Sequence, residues 1–256
     1  MGRPPTARLV TRYRIEGQTL IIDLRARRRV LSSAPRGGGL GRARYILNHQ
    51  VRANPIGAPS GGPSLPWGDP ARYLGRVAKG LGLRQDYVGL MTAVSLKQVV
   101  VLRQERAGIW LEGFFTVGVS NAVRAGEPAT VSKPDGARPT PGTINIILLT
   151  NARLAASALV EAVQVATESK TAALLAAEVR SWTGRPGATG TGTDAIVVAS
   201  GEGPALRHCG THTEMGELIA RVVTRGVREG LVRSKRWSRR EATRRRGRRY
   251  RVCSLR

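Results

Sequence analysis

The 256-residue sequence is poor in cysteine, in aromatic residues and in acidic residues. Its 2 cysteines are too few for a disulfide-stabilised secreted fold, so we expect a reducing, cytoplasmic location. No apolar run approaches the roughly 18 residues of a membrane-spanning helix, and the first residues lack the apolar centre of a signal peptide. Aromatic residues make up 4% of a chain that is 41% hydrophobic, so the core must consist of aliphatic side chains.

The shortage of acidic residues gives a formal charge of +25, which is concentrated at the two ends of the chain. Residues 1–54 carry 12 basic and 2 acidic side chains, and residues 231–256 carry 12 and 1. The 176 residues between them are nearly balanced, with 18 and 14. Trp237 and Tyr250 stand among the C-terminal arginines, a pattern that suits weak contact with single-stranded nucleic acid. The alternative is a solvated, disordered tail without a partner.

Hydrophobic periodicity predicts one α/β domain with a mixed β-sheet packed by helices and flanked by basic tails. Helical patterns occur at Pro70–Gly80, Leu154–Val179 and His212–Glu229, with Gly230 as the expected stop of the last helix. The predicted strands are Arg8–Ile15, Thr19–Leu24, Tyr45–Val51, Val99–Arg103, Ile109–Val119, Thr143–Leu149 and Ala195–Ser200.

Two glycine-threonine segments stand close together, GATGTGTDAIVVA at 187–199 and CGTHTEMGELIA at 209–220. Glycine lets backbone N–H groups approach a ligand, and threonine, aspartate and histidine add donors, acceptors and a base. Thr211 and Glu214 have the spacing of a capping box, which places His212 in the first helical turn, where the helix dipole favours the neutral imidazole. His212 is therefore either a base or a residue that only caps its helix. We interpret the two segments as the rim of one site.

Four further residues combine charge or polarity with apolar surroundings. Asp194 precedes an apolar strand, where it either faces a site or binds the N–H groups of its own loop. Glu168 and Lys170 lie near the middle of a helix that is apolar on nearly all sides, so they are either paired inside the protein or on a solvent face. The amide of Asn145, inside the strand TINIILLT, must also be satisfied by a partner.

Seven segments in a fixed order cover much of the chain. They are SSAPRGGGLGRARYILNHQV (32–51), VGLMTAV (88–94), TVGVSNA (116–122), GTINIILL (142–149), ATESKTAAL (166–174), GTGTDAIVVA (190–199) and CGTHTEMGELI (209–219). In this order they resemble the adenosylcobinamide amidohydrolases, enzymes of cobalamin salvage, over roughly four-fifths of the sequence. The resemblance implies a domain at 30–230, with a basic N-terminal segment at 1–29 and an arginine-rich tail at 231–256 outside it.

The resemblance also implies a reaction, in which the amide between aminopropanol and the propionate arm of the corrin ring is hydrolysed to release adenosylcobyric acid. The corrinoid is then the partner, and its cobalt belongs to the substrate, so we expect no cofactor in the protein. Nothing in the sequence requires a protein-bound metal, because His208 lies outside the helix of His212 if that helix begins after Thr211. The alternative function is a nucleic-acid-binding protein that acts through its arginine-rich ends.

Amide hydrolysis needs a nucleophile or an activated water, a proton for the departing amine and donors for the carbonyl oxygen. We expect Asp194, Glu168 or His212 to activate water and Lys170 to support the charge. A covalent nucleophile is the alternative, with Ser32, Ser33, Thr143 and Cys209 as candidates. The residues expected to bind the substrate are Ser32, Ser33, Gly38, Thr143, Asn145, Gly190, Gly192, Thr193, Gly210, Thr211 and Glu214.

Overall fold

The computed structural model describes residues 9–51, 68–128 and 142–253, with the backbone alone for residues 239–242 and 244–253. Three α-helices lie in these ranges, α1 (Pro70–Gly80), α2 (Ala156–Ala176) and α3 (Glu214–Cys253). The strands are β1 (Arg12–Glu16), β2 (Thr19–Ser32), β3 (Gly39–Gln50), β4 (Tyr87–Thr92), β5 (Val100–Arg106), β6 (Ile109–Val117), β7 (Ala122–Val123), β8 (Ile144–Thr150), β9 (Arg153–Leu154), β10 (Gly190–Thr191), β11 (Ala195–Ala199) and β12 (Ala205–Leu206).

An eight-stranded mixed sheet organises the fold, with the strand order β4-β3-β2-β11-β8-β6-β5 and with β1 paired to β2. Strand β11 is parallel to β8 and antiparallel to β2, while β8 is antiparallel to β6. Every residue of β8 and of β11 is buried, as expected for continuous aliphatic runs in the middle of a sheet. The predicted fold class is confirmed, and each of the seven predicted strands overlaps a strand of this sheet.

Helices α2 and α3 pack against each other and share one hydrophobic core with strands β5, β6, β8 and β11. Glycines bring α3 very close to the sheet. An added Cβ on Gly226 would lie 2.4 Å from Phe115, and one on Gly230 would lie 2.4 Å from Val117. Gly230 therefore serves helix-to-sheet contact, and the expected helix stop at this residue is wrong.

The other face of the sheet folds back on itself. One buried cluster joins Ile46 of β3 and Leu90 of β4 to Phe114 of β6 and Ile147 of β8, although β2 and β11 lie between these two pairs of strands in the sheet. The bend follows from β2, whose pairing with β3 shifts register between Asp23 and Arg28. Strands β3 and β4 therefore lie over the beginning of β8.

Two of the expected segment boundaries differ from the structure. The division between residues 29 and 30 falls inside β2, because the first half of this strand already pairs with β1 and β3. Residues 12–29 therefore belong to the sheet. The tail from residue 231, expected to be disordered, continues α3 as far as Cys253. A helix that is already nucleated by packing extends at little cost through arginine, which is a good helix former.

Candidate active site

Strands β8 and β11 run parallel, beginning side by side at Ile144 and Ala195 and ending near Thr150 and Ala199. Strands β2 and β6 run in the opposite direction, so they end where β8 and β11 begin. We call this edge of the sheet the Asp194 edge, because Asp194 directly precedes β11. We call the opposite edge the Glu161 edge, after a residue of α2 described below.

The carboxylate of Asp194 is the centre of a hydrogen-bond network. Its Oδ1 accepts from the hydroxyl of Thr191 at 2.5 Å and from the N–H of Ile144 at 3.0 Å. Its Oδ2 accepts from the N–H of Thr191 at 3.0 Å and from Nζ of Lys170 at 2.5 Å. Asp194 therefore binds an N–H group of its own loop, as one of the two sequence interpretations held, and it also binds a cation from α2.

Lys170 is buried, with 9% of its side chain exposed, and its ammonium group is paired with Asp194. A buried ammonium group without a partner would be strongly destabilising. Gly190 leaves the room for this pair, since an added Cβ there would lie 2.5 Å from Asp194 Oδ2 and 2.8 Å from Lys170 Nζ. The prediction that charge inside this helix is paired is confirmed for Lys170.

Glu168 does not reach the same site, although it precedes Lys170 by only two residues. Its side chain is exposed and accepts a hydrogen bond from Gln164 at 3.2 Å on the outer face of α2. Residues two apart point to different sides of a helix, so Lys170 and Glu168 cannot share one buried face. Of the two sequence interpretations, the solvent face therefore applies to Glu168.

Asn145 is satisfied by partners from both walls of the folded sheet. Its Nδ2 donates to Asn48 Oδ1 at 2.9 Å and to the carbonyl of Met91 at 2.8 Å, and its Oδ1 lies 3.4 Å from the hydroxyl oxygen of Thr143. Asn48 in turn donates to the hydroxyl of Thr116 at 3.1 Å. The predicted need for a partner at Asn145 is confirmed, and the network holds β3 and β4 over the beginning of β8.

Two loops meet at the surface of the Asp194 edge. The hydroxyl of Thr143 donates to the carbonyl of Thr193 at 2.8 Å, and the hydroxyl of Thr193 donates to the carbonyl of Gly142 at 3.2 Å. These reciprocal bonds hold the two loops side by side. Gly192 and Thr193 are exposed, so this turn forms part of the outer surface of the site.

Ser120 and Asn121 follow β6 and lie against the same loops. An added Cβ on Gly142 would lie 2.6 Å from Asn121 Oδ1 and 2.6 Å from Ser120 Oγ. Oδ1 of Asn121 is buried and has no hydrogen-bond partner among the described residues, while Ser120 is exposed. A buried acceptor that lacks a donor is a point at which an N–H group of a ligand can bind.

The serine pair at the end of β2 lies near the beginning of β11. Ser32 Oγ accepts from the N–H of Ala34 at 2.9 Å, and Ser33 Oγ accepts from the N–H of Ile196 at 3.0 Å. Gly38 folds back over this turn, where an added Cβ would lie 2.7 Å from the carbonyl of Ala34. The structure therefore brings Ser32, Ser33 and Gly38 to the Asp194 edge, where both serine oxygens already hold the turn.

The second glycine-threonine loop lies at the Glu161 edge instead. Glu161 accepts from the N–H of Cys209 at 2.5 Å and from the N–H of Gly210 at 3.1 Å. Glu161 and Lys170 are nine residues apart on α2, which is about 14 Å along the helix axis. Arg106, at the end of β5, also pairs with residues of the first turns of α3 and so places the start of that helix at the same edge.

The interpretation of the two loops as one rim is therefore wrong. The first loop lies at the beginning of β11 and the second lies at the opposite end of the strands, so the length of the strands separates them. The residues that the structure leaves away from Asp194 are Gly210, Thr211, His212 and Glu214. His212 is exposed and lies against Gly210, where an added Cβ would come within 3.0 Å of its imidazole ring.

The start of α3 also differs from the predicted capping box. Thr213, not Thr211, caps the helix, because its hydroxyl accepts from the N–H of Gly216 at 3.0 Å. The third helical position is thus Gly216, which has no carboxylate to complete the box. An added Cβ on Gly216 would lie 2.0 Å from the carbonyl of Gly210, so a larger residue cannot occupy this position without moving the loop.

Two groups at the Glu161 edge have shifted pKa values. The N–H of Cys209 and the imidazole of His208 hold the pKa of Glu161 below its usual value. Burial raises the pKa of the Cys209 thiol to about 12, so this thiol stays protonated at neutral pH and is a poor nucleophile. The contacts at the Glu161 edge hold a loop in place, whereas the contacts at the Asp194 edge place a cation beside a carboxylate.

Sequence reasoning did not select the hydroxyl of Thr191 or the side chains of Asn48 and Asn121. Thr191 carried a usable signal, since a hydroxyl three residues before an aspartate in a glycine turn can reach its carboxylate. Asn48 carried the same signal as Asn145, an amide in an apolar strand. Asn121 carried none, because its place beside Gly142 depends on contact between segments that are distant in sequence.

The chain is similar to known proteins over most of its length. The sequence model of the family described as adenosylcobinamide amidohydrolase matches residues 4–239. An uncharacterized protein of Methanocaldococcus jannaschii is 33% identical over 238 residues, which cover 85% of this chain and 87% of that protein. A Methanosarcina mazei protein named adenosylcobinamide amidohydrolase is 32% identical over 231 residues, which cover 86% of this chain and 96% of that protein.

Solved structures give a weaker likeness. A crystal structure of a protein from Pyrococcus horikoshii aligns over 88% of this chain and 82% of its own, with 11% sequence identity and a TM-score of 0.42. This likeness is too low to bear on the fold or the function.

Within the part of the chain that the structure describes, no helix has the length and the apolar character of a membrane span.

Proposed function

The chain belongs to the adenosylcobinamide amidohydrolase family, and we propose that it hydrolyses the amide between aminopropanol and the propionate arm of adenosylcobinamide. The products are aminopropanol and adenosylcobyric acid, which can re-enter cobalamin synthesis. The names of the relatives give no support to nucleic-acid binding as the main function. Cobalt enters this reaction only as part of the substrate. The absence of a protein-bound cofactor stays a prediction. It is tested by measuring hydrolysis after the protein has been dialysed against a metal chelator.

The buried Lys170–Asp194 pair is the observation that carries the assignment of the site. It joins a proton donor and a proton acceptor at 2.5 Å, in surroundings that leave only 9% and 12% of the two side chains exposed. Charges that are shielded from water interact more strongly with a reacting group than exposed charges do. The pair also lies beneath the two loops that carry five of the expected substrate-binding residues, Thr143, Asn145, Gly190, Gly192 and Thr193.

In the proposed reaction, the oxygen of a water molecule attacks the carbonyl carbon of the amide, and one water proton passes to the Lys170–Asp194 pair. The carbon–nitrogen bond then breaks, and the pair returns one proton to the departing nitrogen. The amine leaves as aminopropanol, the acid remains on the corrin ring, and the pair regains its original protonation. One water is consumed for each amide hydrolysed.

The remaining residues of the Asp194 edge orient the amide. Asn121 Oδ1, which lacks a partner among the described residues, accepts an N–H group of the substrate. The N–H of Gly192 in the exposed turn supplies a donor for the carbonyl oxygen. The N–H of Thr191 is not part of this set, because Asp194 already occupies it at 3.0 Å. Gly210 is excluded for the same reason, since its N–H binds Glu161.

The test is the hydrolysis of adenosylcobinamide by the purified full chain, with adenosylcobyric acid measured by liquid chromatography and mass spectrometry. Lys170→Met and Asp194→Asn are expected to lower kcat by at least about a hundredfold, the usual contribution of proton transfer. Glu168→Gln is the matched control, because Glu168 lies two residues from Lys170 on the exposed face of α2. We expect it to retain activity within about twofold.

Circular dichroism of each variant separates loss of chemistry from loss of folding. A folded wild-type protein that releases no adenosylcobyric acid contradicts the proposed reaction. Equal turnover in folded Lys170→Met and in the wild type contradicts the proposed site. Mass spectrometry of enzyme quenched during turnover decides the nucleophile, since an acyl group on Ser33 or Thr143 would replace water attack by covalent catalysis.

A further inference from the structure

Helix α3 presents an arginine-lined groove to solvent on the side opposite its buried face. The groove has a volume of about 850 Å³, and its charged lining consists of Arg221, Arg225, Arg228, Arg233, Arg236 and Glu229. The lining therefore contains five guanidinium groups and one carboxylate. We name this surface the α3 groove, and the amidohydrolase reaction proposed above makes no use of it.

The positive charge of the α3 groove is only partly neutralised. Arg221 pairs with Glu217 at 2.6 Å, and Arg225 pairs with Glu229 at 2.8 Å. Among the described side chains, Arg228, Arg233 and Arg236 have no ion-pair partner, and Arg233 donates to the carbonyl of Val99. Three guanidinium groups without a carboxylate on one helix attract an anion more strongly than the same groups on a flexible tail, because less ordering is required on binding.

The arrangement of the arginines suits a linear polyanion. Arg221 and Arg236 lie fifteen residues apart, which is about 22 Å along the helix axis. A nucleic-acid strand in a duplex carries one phosphate per about 3.4 Å of helix axis, so several phosphates can lie along a surface of this length. The chain continues this charge beyond the groove, with nine arginines and one acidic residue in residues 237–256.

An anionic membrane fits the same surface less well. Interfacial membrane helices insert an apolar face between lipid chains. The apolar face of α3 is already buried in the protein core, through residues that include Val222, Val223 and Val227. The large apolar side chain exposed in the α3 groove is Val232, at 49% exposure, which is too little to anchor a helix in lipid.

We propose that the α3 groove binds the phosphate backbone of nucleic acid, as a second site beside the amidohydrolase site. Arg228 and Arg236 contact phosphates, and Arg221 and Arg225 exchange their carboxylate partners for phosphate when the strand binds. Binding through phosphates does not read sequence, so the site is expected to take RNA of any sequence and to depend steeply on salt.

The experiment measures fluorescence anisotropy of the full chain with labelled 20-nucleotide RNA, single-stranded and duplex, over a series of salt concentrations. The wild type is expected to bind at low salt, with a linear fall of log K against log salt. Arg228→Glu with Arg236→Glu is expected to weaken binding at least about tenfold and to reduce the salt slope by about two. Hydrolysis of adenosylcobinamide by this variant is expected to stay at the wild-type level.

A charge-matched control distinguishes the groove from the overall charge. Arg72→Glu with Arg76→Glu makes the same change in net charge on the exposed face of α1. A much smaller loss of RNA affinity in this control supports the α3 groove. Equal losses in both double variants, no RNA binding by the wild type at low salt, or binding to phosphatidylserine vesicles in preference to RNA would each overturn the proposal.

Discussion

The loops at 187–199 and 209–220 both bring a carboxylate to backbone N–H groups, but the two carboxylates come from different places. Asp194 belongs to its own loop and binds Lys170, whose side chain is buried. Glu161 comes from a helix, binds the N–H groups of Cys209 and Gly210, and is 28% exposed. The first arrangement holds a charged pair away from water, and the second holds a loop in place at the surface.

A glycine-threonine motif therefore takes its role from the element that it precedes. The first loop leads into β11, a fully buried strand, so its aspartate lies at the border of the core and needs a cation. The second loop leads into α3, and a carboxylate from α2 binds the N–H groups of this loop before the helix begins. Composition alone does not distinguish these cases.

Loss of the Lys170 cation is expected to lower the stability of the protein more than any other change considered. Lys170→Met leaves the carboxylate of Asp194 without its cation, which we expect to cost about 3–5 kcal/mol in the free energy of unfolding. The measurement is urea unfolding followed by circular dichroism. Lys170→Met combined with Asp194→Asn removes both charges and is expected to recover part of this loss. A single variant that loses less than about 1 kcal/mol would contradict a buried, mutually dependent pair.

Substitution of Gly216, in the first turn of α3, is expected to have the next largest effect on stability. Gly216→Ala places a Cβ 2.0 Å from the carbonyl of Gly210, so the loop must move. We expect a loss of about 1–3 kcal/mol in unfolding free energy, with kcat of the folded enzyme unchanged. Gly192→Ala is the control from the first loop, because an added Cβ there has no neighbour within 4 Å. An unfolding free energy of Gly216→Ala equal to that of the control would contradict this close contact.

Local signals were sufficient for most of the fold. Helix α1 matched the predicted range Pro70–Gly80 at both ends, since Asp69 caps it through the N–H of Ala71 and a proline opens it. Strand β4 was missed, because YVGLMT contains a glycine and does not alternate. The length of α3 was missed because Gly230 serves a contact with Val117 that no local pattern reveals.

The candidate site could be predicted in part, for a similar reason. Asn145 and Lys170 were recognised as polar groups in apolar segments, and such groups must find partners wherever the chain folds. Which partner each one finds depends on strand order. The parallel pairing of β11 with β8 brings Asp194 to Ile144, and it leaves His212 at the other edge of the sheet. Sequence spacing carries no information on that pairing.

The pH dependence of stability offers a smaller test at the Glu161 edge. The pKa of Glu161 is lowered in the folded state, so its stabilising contribution is complete above the unfolded pKa and is lost as the pH falls through the folded pKa. The measurement is urea unfolding at several pH values between 7 and 3, for the wild type and for Glu161→Gln. We expect the two proteins to differ at pH 7 and to converge on acidification. A constant difference across this range would contradict the role of the ionised carboxylate.

The smallest expected effect concerns His212, which sequence reasoning offered as a base. Its side chain is exposed at the Glu161 edge, at the opposite end of the strands from the Lys170–Asp194 pair. His212→Ala is therefore expected to change kcat by less than about twofold and unfolding free energy by less than about 0.5 kcal/mol, as for other surface substitutions. Steady-state hydrolysis of adenosylcobinamide and urea unfolding measure both quantities. Among the described residues, no chain of contacts links His212 to Asp194. A hundredfold loss of kcat in folded His212→Ala would therefore mean that the reaction takes place at the Glu161 edge.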